Sequence, residues 1–235
     1  MTTEIPFDPN NPIPVDVAGQ LTLLRETDND VHQLDPPQDE DQRPMPFRMM
    51  TADRMAALPI RTQVLNIALS QLGYHEDSKG NSKFGIWYGD QPKINDSGYD
   101  GASWCDMFVA WAMYQVGGQS FLDLCGEFAF TPWHAEFLHK KGVTDRTPQA
   151  GDLAFQNWDL NGTGNNNLDK IDHVEFVERD NGDGTITTVG GNVDDGVRRR
   201  VRSKSYLVVA AHWWKLIPST SAPVDEIGET CMIYA

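Results

Sequence analysis

Cysteine is scarce in this chain, which has Cys105, Cys125 and Cys231 and no others. An odd number without paired spacing gives neither a disulfide framework nor a zinc knuckle. No apolar run approaches the roughly 18–20 residues that span a bilayer. Met1 is followed by neither a basic n-region nor an apolar h-region, so no secretory signal is visible. Positive charge is also short, with 19 Lys and Arg against 34 Asp and Glu and a net charge of -15. The imbalance is steepest at the start, where Glu4, Asp8, Asp16, Glu26, Asp28, Asp30, Asp35, Asp39, Glu40 and Asp41 face Arg25 alone. Such a stretch repels nucleic acid and anionic membrane, and neither is expected as a partner. No internal repeat is evident.

What remains is a globular composition, 40% hydrophobic and 10% aromatic over 235 residues, enough for one domain of about 150 residues with additional segments. Residues 1–58 read as an acidic, Pro-rich arm, because Asn-Pro, Pro-Pro and Arg-Pro steps oppose regular structure. A domain is expected over 59–216, followed by a tail over 217–235. Its first half reads as helical. Val64, Ile67, Ala68 and Leu72 share one face of a helix over 60–72, with Pro59 suited to its first turn and Gly73 to its end. Gly80 to Gly89 reads as a glycine-rich, aromatic ordered loop. Residues 103–116 are apolar nearly all round, as in a buried helix, and Gly117-Gly118 stops them. Thr131 as N-cap, Pro132 behind it, Lys140 and Lys141 in the last turn and Gly142 beyond mark a third helix.

After Gly151 the pattern turns to strands at 153–156, 171–178, 185–189, 197–203 and 206–214. Asn181-Gly182-Asp183-Gly184 signals a hairpin between two of them. Helices first and an antiparallel sheet second give an α+β fold class.

Cys105 lies within the first turn of the buried helix, where unpaired N–H groups and the helix dipole favour a thiolate. His173 opens the strand His-Val-Glu-Phe-Val-Glu, on which His173, Glu175 and Val177 share one face. A thiol nucleophile needs a base within reach, and the base needs a group that fixes its tautomer. Asn192, placed across the hairpin from His173, is the candidate for that third role.

Three runs in the first half of the domain, Leu72-Gly-Tyr-His-Glu, Phe84-Gly-Ile-Trp-Tyr-Gly and Trp104-Cys-Asp-Met-Phe-Val-Ala-Trp, resemble the first half of a CHAP domain (cysteine, histidine-dependent amidohydrolase/peptidase). Gly151-Asp-Leu-Ala-Phe, Asp172-His-Val-Glu-Phe-Val-Glu, Val189-Gly-Gly-Asn and Gly196-Val-Arg-Arg-Arg are similar to its second half, in family order. The resemblance implies a papain-like, NlpC-type fold with helices packed on the antiparallel sheet. It also implies cleavage of peptidoglycan, at the N-acetylmuramoyl–L-alanine amide or within the stem peptide or cross-bridge. Cys105 would attack the amide carbonyl, His173 would carry the proton, and the Cys105 N–H would help to hold the oxyanion. Two positions depart from the family pattern. Gly190-Gly191-Asn192 stands where many relatives have Glu-Gly-Asn, and Glu175 stands where the family usually has a small residue. Glu175 is expected to crowd the cleft, hold the imidazolium or recognise a substrate amine, and Tyr88 and Trp104 are expected to flank the cleft.

Asp159, Asn161 and Thr163, with Gly164 at the turn, match the opening of an oxygen-ligand calcium loop, although Lys170 replaces the bidentate Glu at its twelfth position. Calcium is therefore a candidate ion, and the cysteine chemistry requires no cofactor. Arg198, Arg199, Arg200 and Arg202 alternate between strand faces and form no nucleic-acid stripe. His75, His139 and His212 have no metal-ligand spacing.

Made in a host cytoplasm without an export signal, a phage-type enzyme reaches the cell wall through a holin pore or on a virion. The flanks of the domain are short for a separate wall-binding module, so a tail-associated enzyme docked to phage tail proteins through residues 1–58 is expected. A free endolysin and an inactive structural virion component are the alternatives.

Overall fold

The computed structural model describes residues 55–158 and 167–218. The acidic arm up to residue 54, the calcium-loop candidates Asp159, Asn161 and Thr163, and the tail beyond residue 218 lie outside the described residues.

Helix α1 (Ile60–Leu69) follows Pro59 and buries Val64, Leu65 and Ala68. It ends three residues before the expected Leu72, and Gly73 makes the left-handed exit at φ +87°. The Gly-rich stretch expected to be a loop is helix α2 (Lys83–Gly89), whose first turn is capped by the Ser82 hydroxyl accepting from the Gly85 N–H at 2.9 Å. The glycines misled the sequence reading because their role is close approach. A Cβ on Gly85 would lie 2.3 Å from the Tyr99 carbonyl oxygen, and one on Gly89 2.5 Å from that of Asp96.

Helix α3 (Cys105–Cys125) does not stop at Gly117-Gly118. It kinks at Gly118, which takes φ 59° and ψ -156°, and continues to Cys125. Phe121 lies so close to Gly117 that no Cβ fits there. Helix α4 (Thr131–Lys140) starts one residue earlier than expected, because Phe130 takes the N-cap position and Thr131 is already helical. The Thr131 hydroxyl instead donates to the Ile171 carbonyl at 3.4 Å, tying α4 to the chain that leads into His173. Among the described residues no helix is long and apolar enough to cross a membrane.

The second half forms one antiparallel sheet of β1 (Thr144–Asp145), β2 (Leu153–Gln156), β3 (His173–Asp180), β4 (Thr185–Val193), β5 (Gly196–Ser203) and β6 (Leu207–Ala211), in the order β1-β6-β2-β3-β4-β5. The last expected strand is shortened, since Trp213–Leu216 is a 3-10 turn. Mixed helices and an antiparallel sheet make the fold α+β. Helix α3 lies against β3 and β4, and α1 and α2 pack on α3.

The core between helices and sheet is aromatic. Phe84 stacks on Trp104 at 5.1 Å and meets Phe108 and Trp111 edge-on at 5.0 and 5.2 Å. Phe108 reaches Phe176 of β3 at 6.2 Å. Burying each such ring contributes about 1.5–3 kcal/mol. Because Phe176 faces α3, strand alternation sends Val174 to the same side and His173, Glu175 and Val177 to the other. Val177 joins a smaller apolar cluster there with Ala154, Ile186 and Leu207. Both faces of the first part of β3 are thus covered, and His173 and Glu175 lie in a dry environment.

Candidate active site

Cys105 is the first residue of α3 and is 4% exposed. The N–H groups of Val174, Asp106 and Cys105 itself lie in hydrogen-bonding reach of its sulfur. The Val174 contact places the thiol beside the first peptide of β3, one residue from His173. Burial, and then the neighbouring Asp106 charge, push the thiol up to about 12 against the pull of those N–H groups. The standing thiolate expected at a helix start is therefore not what the structure holds. At neutral pH the group is a thiol that must pass its proton on.

Asp106 turns away into the core, where its Oδ1 lies 2.7 Å from His134 Nδ1. His134 Nε2 lies 3.0 Å from the Cys125 carbonyl oxygen, so this imidazole bridges the two ends of α3. His134 itself is buried.

His173 is 2% exposed. Its Nε2 lies 3.3 Å from Glu175 Oε1, an ion-pair contact without hydrogen-bond alignment. Apo sites often show such loose alignment, which tightens with substrate. Glu175 is wholly buried, so it neither crowds a cleft nor reaches a substrate amine. Of its three expected roles the geometry leaves the one toward the imidazole.

Three further strands converge on this carboxylate. Arg202 of β5 approaches it two-pronged, with Nη2 2.8 Å from Oε1 and Nε 3.1 Å from Oε2. Gln156 of β2 and Thr188 of β4 donate to Oε2 at 2.9 and 2.7 Å. Burial alone would push the Glu175 carboxyl up. The Arg202 charge, with the His173 ring behind it, overcomes burial and holds the carboxyl well below the usual carboxylate range. Trp158 closes this side, with its ring 5.8 Å from His173 and the Arg202 guanidinium 4.7 Å above it.

Asn192, the expected third member, lies near the end of β4. The β3–β4 pairs begin at Phe176↔Val189, and the β4–β5 register shifts between Gly190 and Val193. Asn192 sits in that irregularity with φ 58°, half-buried, while Glu175 stands at His173 Nε2. Tyr88 and Trp104, expected along the cleft, are each 1% exposed. Tyr88 packs edge-on against Tyr99 at 5.0 Å, and Trp104 stacks in the core while its Nε1–H donates to Glu76 Oε2 at 3.0 Å. They fix the start of α3 from beneath and offer no surface to a substrate.

The two departures from the family pattern meet in space. A Cβ on Gly190 would lie 2.6 Å from Glu175 Cγ and 2.8 Å from its Oε1. The Glu175 carboxylate fills the room a side chain at 190 would need. Sequence reasoning missed Gln156, Thr188 and Trp158, and placed Arg202 only in a basic run. A fully buried polar Gln156 at the end of an apolar strand was the one available signal.

A buried thiol at the opening peptide of β3, on the strand where His173 is backed by a buried carboxylate, supplies the parts of an acyl-transfer site that works through a thioester. Among the described residues no group of three His, Cys, Asp or Glu could hold a metal ion. Compared with curated proteins and with solved structures, the chain matches none. The family model of the CHAP domain matches residues 95–192, a span that begins after α2, includes Cys105, His173 and Glu175, and ends on Asn192. A CHAP domain implies peptidoglycan-hydrolase or amidase-type activity, and to that extent residues 95–192 are similar to a cysteine- and histidine-dependent amidohydrolase.

Proposed function

We propose that the chain hydrolyses an amide bond of bacterial peptidoglycan with Cys105 as nucleophile and His173 as base. The observation that carries this is the Cys105 sulfur beside the opening peptide of β3, with His173 backed by a buried carboxylate. With Nε2 turned to Glu175, Nδ1 of His173 takes the Sγ proton as sulfur attacks the carbonyl carbon. The C=O electron pair moves to oxygen, and the oxyanion accepts from the Cys105 N–H at the start of α3. The C–N bond then breaks, the imidazolium returns the proton to the departing amine, and a thioester remains. His173 next deprotonates a water that attacks the thioester, which releases a carboxylate and returns the proton to Sγ.

Either the amide between the glycan and the stem peptide or one within the peptide fits this chemistry. A virion-borne enzyme docked through residues 1–58, acting at the cell wall, is the setting we favour, because a particle supplies the local concentration that a wall-binding module would otherwise give. A silent structural component is the second reading, and the buried thiol, pushed up to about 12, is the observation in its favour.

Mass spectrometry of fragments released from purified walls, wild type beside Cys105→Ala, separates the two. Fragments that vanish in the variant establish a cysteine hydrolase, and their new termini name the bond. No release by the wild type from several wall types, with and without calcium, rejects the hydrolase. Deleting residues 1–50 is expected to abolish particle association and spare hydrolysis. Retained association rejects the docking role and leaves the free enzyme.

A further inference from the structure

Glu175 would not stay ionised in its surroundings by itself, since a fully buried carboxylate takes a proton unless a charge and hydrogen bonds compensate it. The compensation is built from three strands, and it is asymmetric. Oε2 receives Arg202 Nε, Gln156 Nε2 and Thr188 Oγ1. Oε1 receives Arg202 Nη2 and faces His173 Nε2. The donors on Oε2 fix the carboxylate plane, and the fork of the guanidinium, which a lysine cannot reproduce, presents Oε1 to the imidazole. Arg202 is 4% exposed and does not face solvent. It also lies over Trp158, which lies against His173, so it supports the imidazole by two routes.

We propose that Arg202 is a positioning residue of the site, acting through Glu175 on His173, and that Gly190 is the vacated half of an arrangement in which one carboxylate position can be supplied from β3 or from β4. This rests on reading Cys105 and His173 as nucleophile and base. The second part follows from space. The side chain of residue 190 would start where the Glu175 carboxylate now lies, so one place can be filled from either strand but not from both. A carboxylate entering from 190 would meet the same Arg202, because the Glu175 Oε1 that Arg202 Nη2 approaches at 2.8 Å also lies 2.8 Å from a Cβ built at 190.

The test is the titration of His173 followed by NMR on the full chain, with wall hydrolysis measured in parallel and folding checked by circular dichroism. The titration needs no turnover. If the wild type releases no wall fragments, the hydrolase reading fails while the coupling remains measurable. Glu175→Gln is expected to lower the His173 midpoint by about one unit or more, since the imidazolium loses its counter-charge. Arg202→Met is expected to displace the midpoint and cut hydrolysis at least about tenfold. Arg202→Lys keeps the charge, leaves the midpoint within a few tenths and recovers part of the rate. In Glu175→Ser with Gly190→Glu, the midpoint returns toward wild type from its Glu175→Ser value. An unmoved midpoint in folded Arg202→Met reduces Arg202 to a structural residue and overturns the first part. A double variant that stays at the Glu175→Ser value overturns the second.

Discussion

Replacing His134 by Phe should be one of the most damaging single changes away from the reacting atoms. The ring stack on Phe128, 5.2 Å away and inclined by 24°, can be kept by a phenyl group, so the substitution isolates the polar contacts. The wild type has Asp106 Oδ1 at 2.7 Å from Nδ1, whereas Asp106 Oδ2 already lacks a hydrogen-bond partner among the described residues. After the change neither carboxylate oxygen is satisfied, in a side chain with no exposure, and the Cys125 carbonyl loses its partner too. Breaking a buried pair from one side costs about 3–5 kcal/mol, most of it the stranded charge. A domain of this size loses about 2–4 °C of Tm per kcal/mol, so the midpoint should fall by roughly 6–20 °C. Urea unfolding at unchanged m-value gives the free energy directly. The partner variant Asp106→Leu, combined with His134→Phe, removes the stranded carboxylate and should recover part of the loss, a coupling that a double-mutant cycle reads. A cost below about 1 kcal/mol for His134→Phe, or strict additivity in the double variant, refutes the reasoning.

Three other outcomes follow from the same geometry. Glu175 is held well below the ordinary carboxylate value, so its contribution to stability is complete above the unfolded value of about 4.3 and is lost as pH falls through the lower folded one. The stability gap between wild type and Glu175→Gln should therefore narrow on acidification below about pH 4.3 in urea titrations, and a constant gap refutes the linkage. Gly191→Ala puts a methyl group 2.6 Å from Trp104 Cζ3 and 2.7 Å from Phe108 Cβ. Overpacking of about 1–3 kcal/mol should appear in thermal melting, and an unchanged Tm contradicts it. Cys105 should react slowly with iodoacetamide at pH 7 and faster as pH rises, read by peptide mass mapping, because the thiol is 4% exposed and pushed up to about 12. Fast labelling at pH 7 overturns that expectation.

Local chemistry was legible in the sequence where one residue type permits one outcome. The Asn181–Gly184 turn does join β3 to β4, and β2 runs from Leu153 to Gln156 as expected, because turn residues and short apolar runs are local signals. The sequence pattern also placed Cys105 at a helix start and His173 at a strand head. It failed where a residue's role depends on what crosses it. Gly85 and Gly89 looked like breakers but accommodate the carbonyls of Tyr99 and Asp96. Glu175 and Gly190 looked like separate departures because their complementarity exists only between strands.

The segment Gly73–Glu76 adds a partial extra edge to β5. Gly73 N–H donates to the Val197 carbonyl at 3.2 Å, Val197 N–H to that of Tyr74 at 2.9 Å, and Glu76 N–H to that of Asp195 at 3.0 Å. Arg198 and His75, which meet in the same seam, are 123 positions apart along the chain. Closing so large a loop gains nothing until both ends are ordered. The seam should therefore form late and slow the folding of the whole domain, as non-local pairing does. A nascent chain released before β5 is synthesised would leave the turn ahead of α2 unanchored, together with the aromatic cluster that supports the start of α3. Chain synthesis must then run almost to the end of the domain before Cys105 acquires its surroundings.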